Sequence, residues 1–216
     1  MEHNKKTAEA ELVVIGGGPA GMMCAATAAE RGMRVILLEP NRLLGRKLRI
    51  TGKGRCNVTN NCDIKTFMEN IPGDGRFLYS ALNRLSPTQT MELFESHGLK
   101  LKTERGNRVF PVSDNANDVA GTMAHWCERA GVRVMHTHAK GVRIENGIVT
   151  GVPTDEGMID CRAAAICTGG LTYALTGSAT AINSPAARGI LSTRRGRLSF
   201  RLKATMITAP RCRASR

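Results

Sequence analysis

The chain has 216 residues, of which 42% are hydrophobic and 23% are charged, a composition typical of a globular protein. No apolar run approaches the roughly 18–20 residues that cross a membrane, and no secretory signal precedes the first predicted strand, so we expect a cytoplasmic protein without a membrane partner. The seven cysteines form no C-x-x-C pair, which argues against a zinc site and a disulfide framework, and we predict no metal site.

The net charge of +13 would favour a nucleic-acid ligand if it were spread over the chain. Residues 179–216, however, hold nine of the 31 Lys and Arg residues and no Asp or Glu. The rest of the chain is only mildly basic. We therefore expect a small-molecule substrate and no nucleic-acid partner. A basic nucleic-acid-binding protein, whose affinity would fall steeply with salt, is the less favoured alternative.

The first forty residues predict a strand, a glycine-rich turn, a helix and a second strand. Residues 12–15 are wholly apolar, as expected of a strand buried in a parallel sheet. Residues 16–21 read GGGPAG and contain the pattern G-x-G-x-x-G. An alanine-rich helix is predicted to begin at Pro19, in the first turn, where proline is well tolerated. A second strand, residues 34–38, ends before Glu39.

This order of elements is typical of a dinucleotide-binding site. Gly16 permits a tight turn, Gly18 lets the backbone approach a pyrophosphate, and Gly21 lets helix and strand pack closely. The amino terminus of the helix offers free N–H groups to the phosphates. Glu39 lies 23 positions after Gly16, close to the spacing of an acid that accepts a ribose hydroxyl. The pattern occurs once, which favours a single dinucleotide.

Residues 45–60, GRKLRITGKGRCNVTN, combine five cations with three glycines. Such a segment can place cations and N–H groups against phosphates or an electron-rich ring. From composition alone, that interpretation and a solvated basic loop remain equal alternatives.

The glycine pattern, the run RITGKGRCNVTN and the later CTGG at residues 167–170 together resemble the HI0933-like family of bacterial flavoproteins, also called the YhiN family. Its members include NAD(P)/FAD-dependent oxidoreductases, aminoacetone oxidases and bile-acid 3-dehydro reductases. The resemblance implies an α/β fold: a Rossmann-like FAD-binding domain of the two-dinucleotide-binding flavoprotein type with an inserted, partly β segment. It also implies FAD as the cofactor and hydride transfer through the flavin.

The resemblance further implies two sets of FAD contacts. The pyrophosphate and adenosine ribose would be held by Gly16, Gly17, Gly18, Ala20, Gly21 and Glu39. A second set would lie along the pyrophosphate and the flavin: Arg46, Lys47, Gly54, Arg55, Cys56 and Asn57. Thr168 and Gly169 would lie beside the FAD, with Cys167 at the usual alanine position. Arg55 is the candidate cation for the anionic reduced ring. Cys56 is expected to be a buried thiol, and we assign no catalytic residue.

The middle of the chain predicts further regular elements. Ser86 should cap a helix, residues 99–110 should form a hairpin, and a helix should bury Trp126 in the core. Asn146 and Gly147 indicate a type I′ turn. The predicted organisation is residues 1–60 and 131–178 in the FAD-binding domain, 61–130 as a helical and hairpin segment, and 179–216 as a basic tail.

The tail departs from the resemblance after Ser178. A shifted reading frame of its back-translated sequence allows the family-like segments GDGYKFA, GHT and RPSLVPL in order. We therefore hypothesise that residues 179–216 are read out of the ancestral frame and that the FAD domain is incomplete at its carboxyl terminus. The tail should then pack poorly. An inactive, truncated remnant without stable FAD binding remains the alternative to an active oxidoreductase.

Overall fold

The computed structural model of the chain describes residues 9–169 and the backbone of Thr205–Thr208. The chain divides into two compact units, one from residues 1–44 and 127–216 and the other from residues 45–126. The second unit begins earlier than the inserted segment that we predicted from residue 61. Among the described helices, none is long and apolar enough to cross a membrane.

Ten strands and five α-helices are described. The strands are β1 (Ala10–Ile15), β2 (Val35–Leu38), β3 (Thr59–Asn60), β4 (Leu101–Glu104), β5 (Arg108–Pro111), β6 (Arg133–Met135), β7 (Arg143–Glu145), β8 (Ile148–Thr154), β9 (Gly157–Ile166) and β10 (Thr205–Thr208). The helices are α1 (Pro19–Glu30), α2 (Ile64–Glu69), α3 (Tyr79–Arg84), α4 (Pro87–Ser96) and α5 (Ala116–Arg129).

The first unit is built on a seven-stranded sheet with β1 near its centre. The order is β6-β2-β1-β9-β8-β7, and β10 pairs with β9 beside this path. The pairs β6–β2, β2–β1 and β1–β9 are parallel, and Val13 lies opposite both Ile36 and Ala164. Five of the six β1 residues are buried, which explains the continuous apolar run in the sequence. This is the predicted Rossmann-like α/β architecture.

Helix α1 follows β1 and packs against the same sheet. It starts at Pro19 and buries Met22, Ala25 and Ala26, whose short or flexible side chains allow close contact with the strands. Gly32, with φ +84°, lies just after the carboxyl end, where a left-handed residue ends a helix without strain. The predicted helix and its stop are therefore confirmed.

The second unit contains the small sheet β3-β5-β4, the helices α2, α3 and α4, and most of α5. Ser86 caps α4 in a reciprocal capping box with Gln89, as its sequence indicates. The predicted hairpin is the pair β4–β5. Trp126 is buried, with its ring centroid 4.7 Å from that of His97, which agrees with a role in the core. Helix α2 and the short strand β3 were not predicted.

One described segment of the tail disagrees with the expectation of poor packing. Strand β10 pairs antiparallel with the carboxyl half of β9, and Thr205 lies opposite Ile166. This segment therefore adds a strand to the sheet instead of leaving β9 without a neighbour there. The other residues from 170 to 216, including the start of the proposed frame change, lie outside the described residues.

Candidate FAD-binding site

The glycine turn, residues 16–21, connects β1 to α1, and at two of its positions neighbouring backbone atoms leave no room for a side chain. Gly16 has φ +108°, and a Cβ atom there would lie 2.6 Å from the Cys167 carbonyl oxygen. A Cβ atom on Gly21 would overlap the Gly16 carbonyl oxygen. The Gly16 N–H donates to the Leu38 carbonyl oxygen at 2.8 Å. Close backbone contacts therefore shape the turn, which agrees with a tight turn at Gly16 and close packing at Gly21.

Gly18 differs from these two, because nothing lies within 4 Å of the position that its Cβ would take. Its φ of −76° and ψ of 179° suit any residue, so the fold itself does not require glycine here. Gly18 is also the N-cap of α1 and supplies no side-chain acceptor to the first helical N–H groups. Open space beside unpaired N–H groups at a helix start fits a pyrophosphate. Ala20 lies in this first helical turn.

Glu39 lies directly after β2 and reaches back to the glycine turn. Its Oε2 accepts a hydrogen bond from the Gly17 N–H at 2.9 Å, and its Oε1 accepts from the backbone and side chain of Asn41. A Cβ atom on Gly17 would lie 2.6 Å from Leu44 and 2.8 Å from the Glu39 Cβ. Sequence reasoning missed Asn41 and Leu44, because neither residue type has a fixed place in the dinucleotide pattern.

The segment after β9 lies against the glycine turn. The Cys167 N–H donates to the Ile15 carbonyl oxygen at 2.8 Å, so this residue continues the alignment of β9 with β1. Thr168 Cα would lie 3.1 Å from a Cβ atom on Gly16. Gly169 is exposed, with φ +77°. Two motifs about 150 residues apart in sequence thus lie together at the carboxyl end of parallel strands, where such sheets bind ligands.

Two thiols lie at this end of the sheet. A hydrogen bond with Cys167 lowers the pKa of Cys24, on α1, to about 7. The same interaction, together with burial, raises the pKa of Cys167. Cys24 is half-buried and Cys167 is buried, and the hydrogen bond between them favours the thiolate of Cys24. The sequence did not indicate this pair, because the two residues are distant along the chain.

The basic loop, residues 45–60, belongs to the second unit and is held by ion pairs. The Arg55 guanidinium contacts both Glu104 and Asp114 and lies 4.2 Å from the centre of the Phe110 ring. Lys102 also contacts Asp114, at 2.6 Å. We call Arg55, Glu104 and Asp114 the carboxylate clamp. The two carboxylates balance the charges of Arg55 and Lys102 together, a partnership that the sequence did not reveal.

The basic loop has an unusual backbone between Thr51 and Asn57. Gly52, Lys53, Gly54 and Cys56 all have positive φ values, of 56°, 57°, 85° and 58°. This conformation is unfavourable for the two residues that carry side chains, so the surrounding contacts must maintain it. Cys56 is buried, its N–H donates to the Thr51 carbonyl oxygen at 3.1 Å, and burial raises the pKa of its thiol. Cys56 is therefore the buried thiol that we expected.

The remaining predicted contacts of the basic loop lie along its surface. Arg46 and Asn57 are exposed, and Lys47 is half-buried. With Gly54, Arg55 and Cys56, they stay predicted FAD contacts. The structure groups them within the second unit and groups the glycine turn, Glu39, Thr168 and Gly169 within the first. Across the described ranges, no group of three His, Cys, Asp or Glu side chains is arranged to hold a metal ion.

Curated proteins similar to this chain include two named enzymes. The ribosomal RNA dihydrouridine synthase of Escherichia coli is 29% identical over 199 residues, which cover 89% of this chain and 48% of that protein. The 3-dehydro-bile acid delta(4,6)-reductase of Clostridium scindens is 33% identical over 135 residues, which cover 61% of this chain and 31% of that protein. The chain spans about half the length of the first relative and a third of the second.

A solved structure and a family model agree with the architecture. The 3-ketosteroid-delta4-(5alpha)-dehydrogenase of Rhodococcus jostii matches with a TM-score of 0.61 at 16% identity, over 79% of this chain and 48% of that protein, which supports the fold alone. The family model described as the HI0933-like protein Rossmann domain matches residues 10–191. The chain therefore belongs to the HI0933-like family of FAD-dependent oxidoreductases, and FAD is the cofactor of its Rossmann fold.

Proposed function

We propose that this chain binds FAD at the glycine turn and takes part in the reduction of a carbon–carbon double bond in its substrate. The observation that carries the cofactor part is the open space at Gly18, beside the free N–H groups of α1. The fold does not need glycine at this position, yet glycine lies where a pyrophosphate would approach the backbone. This indicates a site for ligand binding.

The reaction class is supported by the two named relatives. A dihydrouridine synthase and a delta(4,6)-reductase both add two hydrogen atoms across a carbon–carbon double bond. When bound, FAD that has been reduced by NADH or NADPH would supply the hydride, and a proton would complete the addition. The chain's own residues would bind and orient the cofactor: α1 and the glycine turn through N–H groups, and Glu39 through its carboxylate.

The sequence suggested Arg55 as the cation beside the reduced flavin ring, and we propose a different role for it. Because Glu104 and Asp114 contact its guanidinium, we propose that Arg55 fixes the shape of the basic loop. Cations elsewhere in the loop, Arg46 and Lys47, remain the candidates for contact with the FAD phosphates or flavin. A small-molecule substrate and a cytoplasmic location are also parts of the proposal.

The test uses the purified chain supplied with FAD. NADH and NADPH are each offered as hydride donors, with either an unmodified ribosomal RNA transcript or a 3-oxo-delta(4,6) bile acid as acceptor. Mass spectrometry then measures the gain of two hydrogen atoms. The Gly18→Ala variant is the control, because its methyl group has space in the fold but blocks the expected pyrophosphate position.

Each result has a distinct meaning. Reduction of the bile acid alone supports a small-molecule substrate, whereas reduction of RNA overturns our prediction of no nucleic-acid partner. FAD binding without reduction of either acceptor contradicts the reaction class and leaves the cofactor assignment standing. Failure of the chain to bind FAD favours the alternative of an inactive relative that has lost its cofactor.

A further inference from the structure

The Glu39 carboxylate is already partly occupied by donors of the chain itself. Its Oε1 accepts the Asn41 N–H at 3.0 Å and the Asn41 Nδ2–H at 2.6 Å. Its Oε2 accepts the Gly17 N–H at 2.9 Å. A carboxylate oxygen has about two acceptor positions. Oε1 is therefore saturated, and Oε2 retains one position.

The backbone of Glu39 is fixed independently of its side chain. The Glu39 N–H donates to the Met135 carbonyl oxygen at 3.0 Å, and the His136 Nδ1 lies 3.1 Å from the Glu39 carbonyl oxygen. The position of the backbone is thus set by β6 and the residue after it. The direction of the carboxylate is set by Gly17, through its N–H, and by Asn41, through both its N–H and its side-chain amide.

We propose that Asn41 is a positioning residue of the FAD site, which occupies Oε1 of Glu39 and leaves Oε2 to accept a single ribose hydroxyl. The inference rests on FAD binding at the glycine turn. Because one acceptor position is left, Glu39 distinguishes the two adenosine ribose hydroxyls instead of binding both. Removal of the Asn41 side chain frees a position on Oε1 and removes one of the three hydrogen bonds that fix the carboxylate.

The experiment measures equilibrium binding of FAD and of its 2′-deoxyadenosine and 3′-deoxyadenosine analogues by calorimetry. For the unmodified chain, one analogue should bind about tenfold more weakly than FAD, because it lacks a hydrogen bond to a charged acceptor, and the other should bind within about twofold of FAD. For Asn41→Ala, FAD should bind several-fold more weakly, and the two analogues should no longer differ.

Two further variants separate positioning from folding. Asn41→Asp keeps the size and turn preference of the residue but loses the donor, so it should also lose the difference between the analogues. Asn70→Ala removes a similar side-chain amide bond, to the Thr66 carbonyl oxygen at the end of α2, and should leave all three affinities unchanged.

The inference is overturned if the unmodified chain loses affinity equally for both analogues, or if Asn41→Ala and Asn41→Asp keep its analogue preference. If the unmodified chain binds neither FAD nor the analogues, the inference and the proposed FAD retention both fail. If it binds FAD with no analogue preference, only the inference fails.

Discussion

The glycine turn and the basic loop are both rich in glycine, yet different forces hold them. In the glycine turn, Gly16 and Gly21 are required because their backbones touch other backbone atoms. In the basic loop, a backbone with several positive φ values is accompanied by the ion pairs of the carboxylate clamp. Positions defined by close backbone packing, such as Gly16 and Gly21, tolerate almost no substitution, whereas a segment held by partly exposed charges depends on pH and salt.

The largest effect is expected from adding one methyl group to the glycine turn. Gly21→Ala places a Cβ against the Gly16 carbonyl oxygen, so overpacking should cost about 3 kcal/mol of unfolding free energy and abolish FAD binding. The matched control is Gly121→Ala in α5, where nothing lies within 4 Å of the new Cβ. This variant should gain up to about 1 kcal/mol, because alanine favours helices. Denaturant unfolding measures both, and equal effects would contradict the packing argument.

A smaller effect is expected from breaking the carboxylate clamp. Arg55→Ala leaves Glu104 and Asp114 with Lys102 as the remaining cation beside them, so the second unit should open more often. Limited proteolysis should cut the basic loop several-fold faster than in the unmodified chain. Arg76→Ala breaks a pair with neighbouring Asp74 that is far more exposed, and it should change the cleavage rate little. If Arg55→Ala and Arg76→Ala are cleaved at the same rate, the carboxylate clamp does not hold the basic loop.

The effect of Arg55→Ala should disappear in acid. Hydrogen bonds from Arg55 lower the pKa of Glu104 from 4.5, and hydrogen bonds from Lys102 and then Arg55 lower that of Asp114 from 3.8. A carboxyl group whose pKa is lowered on folding stabilises the folded state at pH values above its ordinary pKa. This stabilisation is lost as the pH falls through the lowered pKa of the folded state. The difference in cleavage rate between Arg55→Ala and the unmodified chain should therefore persist at neutral pH. It should vanish at pH values below the lowered pKa values of the two carboxyl groups. A difference unchanged in acid would indicate that Arg55 acts by packing on Phe110.

A local chemical effect is expected at Cys24. Because its pKa is about 7, its alkylation rate should rise between pH 6 and 8 and then level off. Cys127 and Cys161, with pKa values of about 11, should stay unmodified over this range. Cys167→Ala removes the hydrogen bond, so Cys24 should react several-fold more slowly at pH 7.5. Peptide mass spectrometry measures each site, and unchanged reactivity in Cys167→Ala would contradict the thiol pairing.

The sequence predicted the first unit far better than the details of the second. The strand, glycine turn, helix and acid follow from local periodicity and from the conformational needs of glycine. The elements between Gly16 and Glu39 could therefore be predicted from the sequence. The partners of Arg55 could not, because Glu104 and Asp114 are 49 and 59 positions away and no local pattern pairs them. Likewise, the tertiary contact between Cys24 and Cys167 has no sequence signature.

The tail shows another limit of pattern-based prediction. Its lack of acidic residues suggested a segment without a place in the fold. Strand β10 nevertheless pairs with β9, because backbone hydrogen bonding needs an extended chain and not a balanced charge.

The most direct test of the account compares FAD binding by the unmodified chain and by Gly18→Ala. Both proteins should unfold at nearly the same denaturant concentration, because the added methyl group meets no atom within 4 Å. The unmodified chain should bind FAD, and the variant should bind it at least about tenfold more weakly, because the methyl group occupies the approach to the pyrophosphate. If the folded variant binds FAD as tightly as the unmodified chain, FAD does not bind at the glycine turn.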